Sequence, residues 1–293
     1  MKRTSFLRAS AGTLAALSHA ALPQLASAQN DTEPPFAQLE QRYGGRLGVS
    51  AIDTQTTRAV AYRENERFPM CSTFKFFLVA GVLARIQAGT IKGSQWVRYG
   101  PSDLLEYAPV TRAHVAAGGM TVDALCAAAI ELSDNTAANL LLSLVGGPAG
   151  ATAYARSLGD DVTRLDRREP DLNSAIPGDP RDTTSPLAMR GLMNAILLGS
   201  SLNAKSVDRL VGWLLKSRTG DDRLRAGLPK SWKIGDKTGN GRNKATNDIA
   251  VAWPPGRKPL LITAYYVGSK ASPAELTTVF TAVAEYLARD LTK

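Results

Sequence analysis

The sequence is poor in the residues that most often bind transition metals. It contains two histidines and two cysteines in 293 residues, and no group of His, Cys, Asp or Glu has the spacing of a zinc site. We interpret His114, the histidine in the part of the chain expected to fold, as structural. We therefore expect no metal and no other cofactor, which disfavours metal-dependent chemistry.

The scarcity of cysteine leaves two interpretations open. In an exported protein, Cys71 and Cys126 could form one disulfide bond. Each of them, however, lies in an apolar helical stretch, where a free cysteine usually packs as a small hydrophobic side chain. We favour two buried thiols.

No apolar run long enough to span a membrane follows residue 28. Lys2, Arg3 and Arg8 precede an interrupted apolar run that ends in small residues, which is the layout of a secretory signal peptide over residues 1–28. We expect cleavage after Ala28 and export to the periplasm or the medium, without a membrane anchor. Cleavage would lower the net charge from +9 to about +6. With no basic run interleaved with aromatic residues, we expect no binding to nucleic acid.

The remaining sequence has the periodicity of a folded protein that mixes helices and strands. Apolar spacing predicts helices over residues 36–43, 72–88, 121–132, 136–145, 148–157, 185–198, 205–215 and 273–291. Strands are predicted over residues 46–52, 58–62, 232–236, 248–253 and 260–267. The chain therefore begins with strands, continues through helices and returns to strands.

This order of elements predicts an α+β fold. Strands joined by tight turns pair antiparallel, and terminal helices need a sheet face to cover their apolar residues. We expect a five-stranded antiparallel sheet flanked by N- and C-terminal helices, formed by residues 29–64 and 217–293. Residues 65–216 would form a large inserted all-helical lobe, and the cleft between the lobes would hold the active site.

One stretch combines a hydroxyl, an amine and the start of a helix. Serine is a good residue for beginning a helix, so Ser72 predicts the start of an apolar helix that Gly89 would end. Lys75 follows three residues later, so its amine shares one face of the first turn with the Ser72 hydroxyl. Backbone N–H groups there favour negative charge. Taken alone, the pattern also fits a helix cap followed by a solvent-exposed lysine.

Two further triplets fall where the predicted fold brings turns and strand ends to the cleft. Residues 133–135, Ser-Asp-Asn, join two helices, where a hydroxyl and an amide could relay a proton and bind a carbonyl group. Residues 237–239, Lys-Thr-Gly, close a predicted strand, and the glycine permits close approach of a ligand. Taken alone, the first triplet is better explained as a helix cap and the second as an edge lysine with a turn.

The loop over residues 164–184 is long and rich in charge and proline. Loops of this length are uncommon in compact domains and are usually functional or mobile. Arg167 and Asp182 could pair and hold its ends together. A cis bond before Pro170 would direct Glu169 inward.

Together the patterns Ser-x-x-Lys, Ser-Asp-Asn, Glu-x-x-x-Asn and Lys-Thr-Gly are far more specific than any one of them, because they occur in this order over most of the chain. The sequence resembles the class A serine β-lactamases of the penicilloyl-serine transferase superfamily. The resemblance includes residues 105–107 and 181–184 and covers essentially the whole predicted mature chain. It implies a monomeric enzyme that hydrolyses the β-lactam amide of penicillins and cephalosporins and so gives antibiotic resistance.

The resemblance also implies catalytic roles. Ser72 would be the nucleophile that forms an acyl-enzyme, and Ser133 would pass a proton to the leaving nitrogen. Lys75 or Glu169 would be the acylation base, a choice that the sequence leaves open. Glu169, with Asn173, would activate the water that releases Ser72.

The residues implied to bind substrate are Tyr107, Asn135, Asn173, Arg223, Lys237, Thr238, Gly239 and Asn240. In this set Lys237, Thr238 and Arg223 would receive the substrate carboxylate. Asn135 would contact the side-chain amide, and Tyr107 would form an apolar wall. The backbone N–H groups of Ser72 and Asn240 would form the oxyanion hole.

The sequence departs from the family pattern at two positions near the substrate. Thr246 stands where many relatives carry an arginine, with Arg223 at an alternative position, and Asn240 replaces a more usual small or hydroxyl residue. The substrate range therefore stays open. Two other functions remain as alternatives: a penicillin-binding D,D-peptidase that acts on peptidoglycan stem peptides, which Glu169 argues against, and a non-catalytic envelope-binding protein.

Overall fold

The structure is a computed structural model that describes residues 34–293. The predicted signal peptide lies outside the described residues. The helices are α1 Phe36–Tyr43, α2 Lys75–Gln87, α3 Thr111–His114, α4 Val122–Glu131, α5 Asn135–Val145, α6 Gly147–Ser157, α7 Pro186–Leu197, α8 Ala204–Leu215, α9 Leu224–Gly227 and α10 Pro273–Leu291. The strands are β1 Arg46–Asp53, β2 Ala59–Tyr62, β3 Phe68–Pro69, β4 Trp96–Arg98, β5 Gly119–Thr121, β6 Thr183–Thr184, β7 Lys233–Asn240, β8 Thr246–Trp253 and β9 Leu260–Val267.

Five of these strands form the predicted antiparallel sheet, in the order β2-β1-β9-β8-β7. The consecutive strands β7, β8 and β9 pair with their sequence neighbours, because short turns connect them. Strand β1 pairs with β9 along its whole length, from Arg46 opposite Val267 to Asp53 opposite Leu260. The predicted α+β fold with a five-stranded antiparallel sheet is confirmed.

Both faces of the sheet are buried, and alternate residues of β9 show how. Leu261 and Tyr265 belong to a core shared with α2, α4, α5 and α7. Ile262 and Tyr266 belong to a second core, formed with α1 and α10. Successive side chains of a strand point to opposite faces, so the two terminal helices cover one face and helices from the middle of the chain cover the other.

The middle of the chain is mainly helical, with two short ladders that the sequence analysis did not predict. Strand β3 pairs with β6, and β4 pairs with β5. The pairs are two and three residues long, too short to leave an alternating pattern in the sequence. The proposed lobe boundaries at residues 64/65 and 216/217 stay a prediction.

The start of the second helix differs from the prediction. Residues Cys71–Phe74 form a single turn of 3₁₀ helix, and α2 begins at Lys75 with no side-chain cap. Ser72 therefore does not cap the helix, because its hydroxyl contacts Lys75 and Glu169 instead. The predicted end is confirmed, since α2 stops at Gln87 and Gly89 has φ of +73°.

Candidate active site

Ser72 and Lys75 meet as their spacing predicts. Lys75 Nζ donates to Ser72 Oγ at 2.9 Å. Both side chains lie at the junction of the 3₁₀ turn and α2, and Lys75 is completely buried. The solvent-exposed lysine of the alternative interpretation is therefore excluded.

Lys75 is surrounded by oxygen atoms from three separate parts of the chain. Its Nζ lies 3.0 Å from Glu169 Oε1, 2.8 Å from the Ser133 carbonyl oxygen and 2.6 Å from Asn135 Oδ1. Burial lowers the pKa of Lys75, because a charged amine loses its hydration there, and the Glu169 carboxylate partly opposes this shift. The amine is thus both a hydrogen-bond donor and a group whose proton is easier to remove than usual.

Glu169 reaches the serine from the long loop. Its Oε1 accepts a hydrogen bond from Ser72 Oγ at 3.3 Å, and its side chain is buried. Asn173 Nδ2 donates to the other oxygen, Oε2. Asn139 of α5 holds the Glu169 backbone at both its N–H and its carbonyl group, at 3.0 and 2.9 Å. The sequence analysis did not identify Asn139, because a single helical asparagine gives no pattern.

The ends of this loop are held as predicted. Arg167 Nε donates to Asp182 Oδ2 at 2.6 Å, and Asp182 Oδ1 accepts the backbone N–H groups of Asp166 and Arg167. The peptide bond between Glu169 and Pro170 is cis. Both expectations for the loop are confirmed.

The Ser-Asp-Asn triplet combines capping with a contribution to the site. Asp134 is the N-cap of α5 and accepts the N–H of Ala137 at 2.8 Å, so the capping interpretation is confirmed for this residue. Ser133 has φ of +56°, and its Oγ lies 3.4 Å from Lys75 Nζ and 3.0 Å from Lys237 Nζ. Asn135 Oδ1 contacts Lys75. The serine hydroxyl therefore links the two lysines of the site.

Lys237, Thr238 and Gly239 lie in the last part of β7. Lys237 is completely buried, and its Nζ donates to Ser133 Oγ and to the Thr238 carbonyl oxygen. Burial holds the pKa of Lys237 well below its usual range, and the nearby charge of Lys75 adds to this effect. A side chain on Gly239 would stand 2.7 Å from the Met70 carbonyl oxygen, so glycine allows β7 to pack against the turn that carries Ser72.

These elements enclose a cleft of about 280 Å³. Its lining residues are Ser72, Tyr107, Ser133, Asn135, Asn173, Thr219, Thr238, Gly239 and Asn240. The Tyr107 side chain is half exposed at its edge. Thr219, which the sequence analysis did not propose for the site, shares a hydrogen bond of 2.6 Å with the Thr238 hydroxyl. Thr219 lies four residues before Arg223, which the sequence analysis did propose for the site. Only the fold shows that Thr219 lies beside β7.

Two of the predicted substrate-binding residues do not line this cleft: Lys237, which is completely buried, and Arg223. Arg223 lines a neighbouring cavity of about 230 Å³, together with Thr246 and Phe280. Its guanidinium donates to the carbonyl groups of Gly239 and Asn247 and to Asn240 Oδ1. Burial lowers its pKa.

The two cysteines are free and buried, which confirms two thiols rather than a disulfide bond. Within residues 34–293, no three His, Cys, Asp or Glu side chains are grouped so that they could hold a metal ion. None of the helices in the same range is both long and apolar enough to cross a membrane.

The chain matches known proteins over most of its length. A family model described as the β-lactamase enzyme family matches residues 33–290. β-Lactamase CTX-M-25 of Escherichia coli is 48% identical over 288 residues, covering 97% of this chain and 98% of its own. The carbapenem-hydrolyzing β-lactamase KPC of Klebsiella oxytoca is 50% identical over 232 residues, covering 79% of each.

Solved structures give the same result. An ancestral class A β-lactamase reconstructed for Gram-negative bacteria is 55% identical, with a TM-score of 0.85 over 86% of this chain and 97% of its own. The class A β-lactamase PenP of Rhodopseudomonas palustris, described as putative, is 50% identical with a TM-score of 0.84. The family model extends over nearly all the described residues, and these relatives and structures are 48–55% identical to the chain, which therefore belongs to the class A β-lactamases.

Proposed function

We propose that this protein hydrolyses the β-lactam amide of penicillins and cephalosporins through an acyl-enzyme on Ser72. The observation that carries the proposal is the convergence of Ser72 Oγ, Lys75 Nζ and Glu169 Oε1 within 3.3 Å of one another. A hydroxyl, an amine with a lowered pKa and a buried carboxylate supply a nucleophile and two proton acceptors.

In the proposed acylation, Ser72 Oγ attacks the lactam carbonyl carbon while its proton passes to the Lys75–Glu169 pair. The two groups are 3.0 Å apart, so a proton accepted by either is shared by both, and we assign the base function to the pair. Ser133 Oγ, within reach of Lys75 and Lys237, would then give its proton to the departing nitrogen as the lactam C–N bond breaks, and would regain a proton from Lys75. The N–H groups of Ser72 and Asn240 would stabilise the oxyanion.

In the proposed deacylation, Glu169 deprotonates a water molecule that attacks the acyl carbon and regenerates Ser72. Asn173 supports this role, since its Nδ2 donates to Glu169 while its buried Oδ1 has no hydrogen-bond partner within residues 34–293. Such an acceptor can hold one hydrogen of the water. This carboxylate is also the reason for preferring a β-lactamase to a D,D-peptidase, whose acyl-enzyme would persist with penicillins.

The purified protein tests the proposal directly. Repeated turnover of a chromogenic cephalosporin is expected, and Ser72→Ala should abolish it, with an unchanged unfolding temperature as the control for folding. Mass spectrometry should detect a penicilloyl adduct on the protein but not on Ser72→Ala. An active Ser72→Ala variant would reject the nucleophile assignment, and a stable adduct without turnover would favour the D,D-peptidase.

We also propose that the protein acts after export, in the periplasm or the medium, as a monomer. The signal-like composition of residues 1–28 supports export. Size-exclusion chromatography with light scattering and sequencing of the mature N-terminus test these two points. A mature protein that begins at Met1 would contradict export by cleavage after Ala28.

A further inference from the structure

A second cavity lies between the loop over residues 164–184 and the end of the sheet where β1 begins and β9 ends. It encloses about 430 Å³, and none of the residues that line it also lines the cleft of Ser72. Sites for small molecules in proteins have volumes of about 300 to 1,000 Å³. The cavity is therefore large enough for a small ligand, and it is separate from the proposed chemistry.

The charged residues that line this cavity are mostly cations. Four of them are arginines and one is a carboxylate: Arg46, Arg67, Arg167, Arg181 and Asp179. Three of the arginines pair with carboxylates, as Arg46–Glu66, Arg167–Asp182 and Arg181–Asp179. Among residues 34–293 no carboxylate lies within 4.0 Å of the Arg67 guanidinium, whose partners are oxygens of Val162 and Thr183. The cavity thus holds one guanidinium whose charge no adjacent carboxylate balances.

Several guanidinium groups of the cavity keep unused hydrogen-bond donors. Arg67 donates through Nη1 alone, to the Val162 carbonyl oxygen at 2.8 Å and the Thr183 hydroxyl at 3.1 Å. Arg167 donates through Nε alone, and Arg181 leaves Nη1 without a partner within residues 34–293. A guanidinium presents its N–H groups in a planar fork that matches the oxygens of an oxyanion. Three such groups with free donors border one space.

The other side chains that line the cavity are largely apolar. Ile176, Pro177 and Pro180 contribute from the loop, and Pro69 and Val267 contribute from the strands. The Ile176 side chain is 52% exposed, which is unusual for a large hydrophobic residue among those described. An apolar group that covered it would be stabilised by the removal of this surface from water. The lining therefore suits a ligand that has both an acidic group and an apolar group.

We propose that this cavity binds a phosphate monoester with an apolar substituent, and that Arg67, Arg167 and Arg181 hold the phosphate. Phosphate offers three acceptor oxygens, so one can face each guanidinium, whereas a carboxylate offers two. Its negative charge balances that of Arg67, and its substituent covers Ile176. The inference goes beyond the proposed hydrolysis of β-lactams and does not depend on it.

Isothermal titration calorimetry with the mature protein and phenyl phosphate tests the site without any activity assay. At about pH 8 the phosphate is a dianion, since its second pKa is about 6. Phenyl phosphate should bind one-to-one, at least about tenfold more tightly than inorganic phosphate because of the apolar wall. It should also bind at least about tenfold more tightly than benzoate, which has fewer acceptor oxygens. Absence of binding would overturn the proposal, and inorganic phosphate or benzoate that binds as tightly would overturn the ligand class.

Substitutions at Arg67 locate the phosphate. Arg67→Gln should weaken the binding of phenyl phosphate by about tenfold or more, because a charge-assisted contact is lost. Arg67→Lys keeps the charge without the planar fork and should weaken binding by about threefold. Arg98→Gln is the matched control, since Arg98 is exposed in β4 and makes no ion pair within residues 34–293. It removes the same charge and should stay within about twofold of wild type. Equal affinities of Arg67→Gln and Arg98→Gln would overturn the proposal.

Two further variants separate this cavity from the cleft of Ser72. Ile176→Ser should weaken the binding of phenyl phosphate by about fivefold and leave that of inorganic phosphate unchanged, because only the substituent contacts position 176. Lys237→Met alters the cleft and should leave the affinity for phenyl phosphate within about twofold of wild type. Binding that is lost in Lys237→Met but kept in Arg67→Gln would place the anion in the cleft and contradict the proposal. The unfolding temperature of each variant serves as the control for folding.

Discussion

Two completely buried lysines, Lys75 and Lys237, stand at the two ends of the site and differ in what faces them. Lys75 Nζ lies 3.0 Å from the Glu169 carboxylate. Lys237 Nζ donates to a hydroxyl and a carbonyl oxygen, with no carboxylate within 4.0 Å among residues 34–293. Burial lowers the pKa of both, and the pKa of Lys237 is lowered further, since the charge of Lys75 adds to the effect there whereas Glu169 opposes it at Lys75.

The comparison shows that burial alone does not define the role of a lysine in this cleft. A carboxylate next to Lys75 creates a pair that can exchange a proton with Ser72. Lys237 lacks such a partner within 4.0 Å, although the more distant carboxylates of Asp236 and Asp248 favour its protonated form. We infer that the end of the site with Lys75 performs proton transfer and that the end with Lys237 binds the substrate acid. Each prediction below tests this difference.

The largest effect is expected from Glu169→Gln, which makes the surroundings of Lys75 resemble those of Lys237. Loss of the general base should lower kcat by about 10³, and the acyl-enzyme on Ser72 should accumulate. Stopped-flow kinetics and mass spectrometry measure the two effects. Asp171→Asn, an exposed carboxylate in the same loop, serves as the matched control and should remain within about twofold of wild type. Unchanged deacylation in Glu169→Gln would contradict the assignment.

Replacing each lysine by methionine should affect stability unequally. Lys75→Met leaves the buried Glu169 carboxylate without its cation and should cost about 3 kcal/mol in the free energy of unfolding. Lys237→Met removes a buried cation with no carboxylate partner and should change stability by less than about 1 kcal/mol, in either direction. Urea unfolding at pH 7 measures both values. Equal destabilisation would show that the two sites are electrostatically alike.

Lys237 should contribute to the pH dependence of the free energy of unfolding. In the folded state its pKa is lowered from 10.5, so above the folded pKa the unfolded chain holds a proton that the folded protein has released. Stability from this group therefore rises with pH up to about 10.5, with a slope of at most about 1.4 kcal/mol per pH unit.

Lys237→Met should lack this contribution, so its stability relative to wild type should be highest on the acidic side of the window and decline toward pH 10.5. Urea unfolding at several pH values between 6 and 10.5 tests the trend. A difference between the two proteins that is constant across this range would contradict a lowered pKa for Lys237.

The smallest effect is expected at the hydrogen bond between the Thr219 and Thr238 hydroxyl groups, near Lys237. Thr219→Val removes the partner of the Thr238 hydroxyl while keeping the shape, and loss of one such hydrogen bond is worth about 1 kcal/mol. We expect KM for a carboxylate-bearing substrate to rise about fivefold with little change in kcat. Thr219→Ser should restore most of the loss. A drop in kcat without a change in KM would place Thr219 at the proton-transfer end instead.

Much of the fold could be predicted because its patterns are local. Helices α1 and α10 and strand β9 have the predicted bounds, since each is a continuous periodic segment ended by clear turn residues. The short ladders β3–β6 and β4–β5 and helix α9 were not predicted. Their lengths of two to four residues are too small for periodicity to reveal.

The candidate site was predicted unevenly for a related reason. Ser72 and Lys75 were paired correctly from a spacing of three residues. Thr219 and Asn139 were missed, because neither belongs to a recognisable motif and each acts through a residue distant in the chain. Arg223 was assigned to the cleft by resemblance, whereas its hydrogen bonds hold it behind Asn240.

The sequence by itself determined the order of helices and strands, the antiparallel pairing of neighbouring strands and the meeting of Ser72 with Lys75, because each depends on the geometry of a few consecutive residues. Tertiary structure alone decided that Glu169 reaches a serine 97 residues away and that Asn240 separates Arg223 from the cleft. Both arrangements depend on how a loop, a helix and the edge of a sheet pack together. Packing is a property of the whole chain, which no single segment encodes.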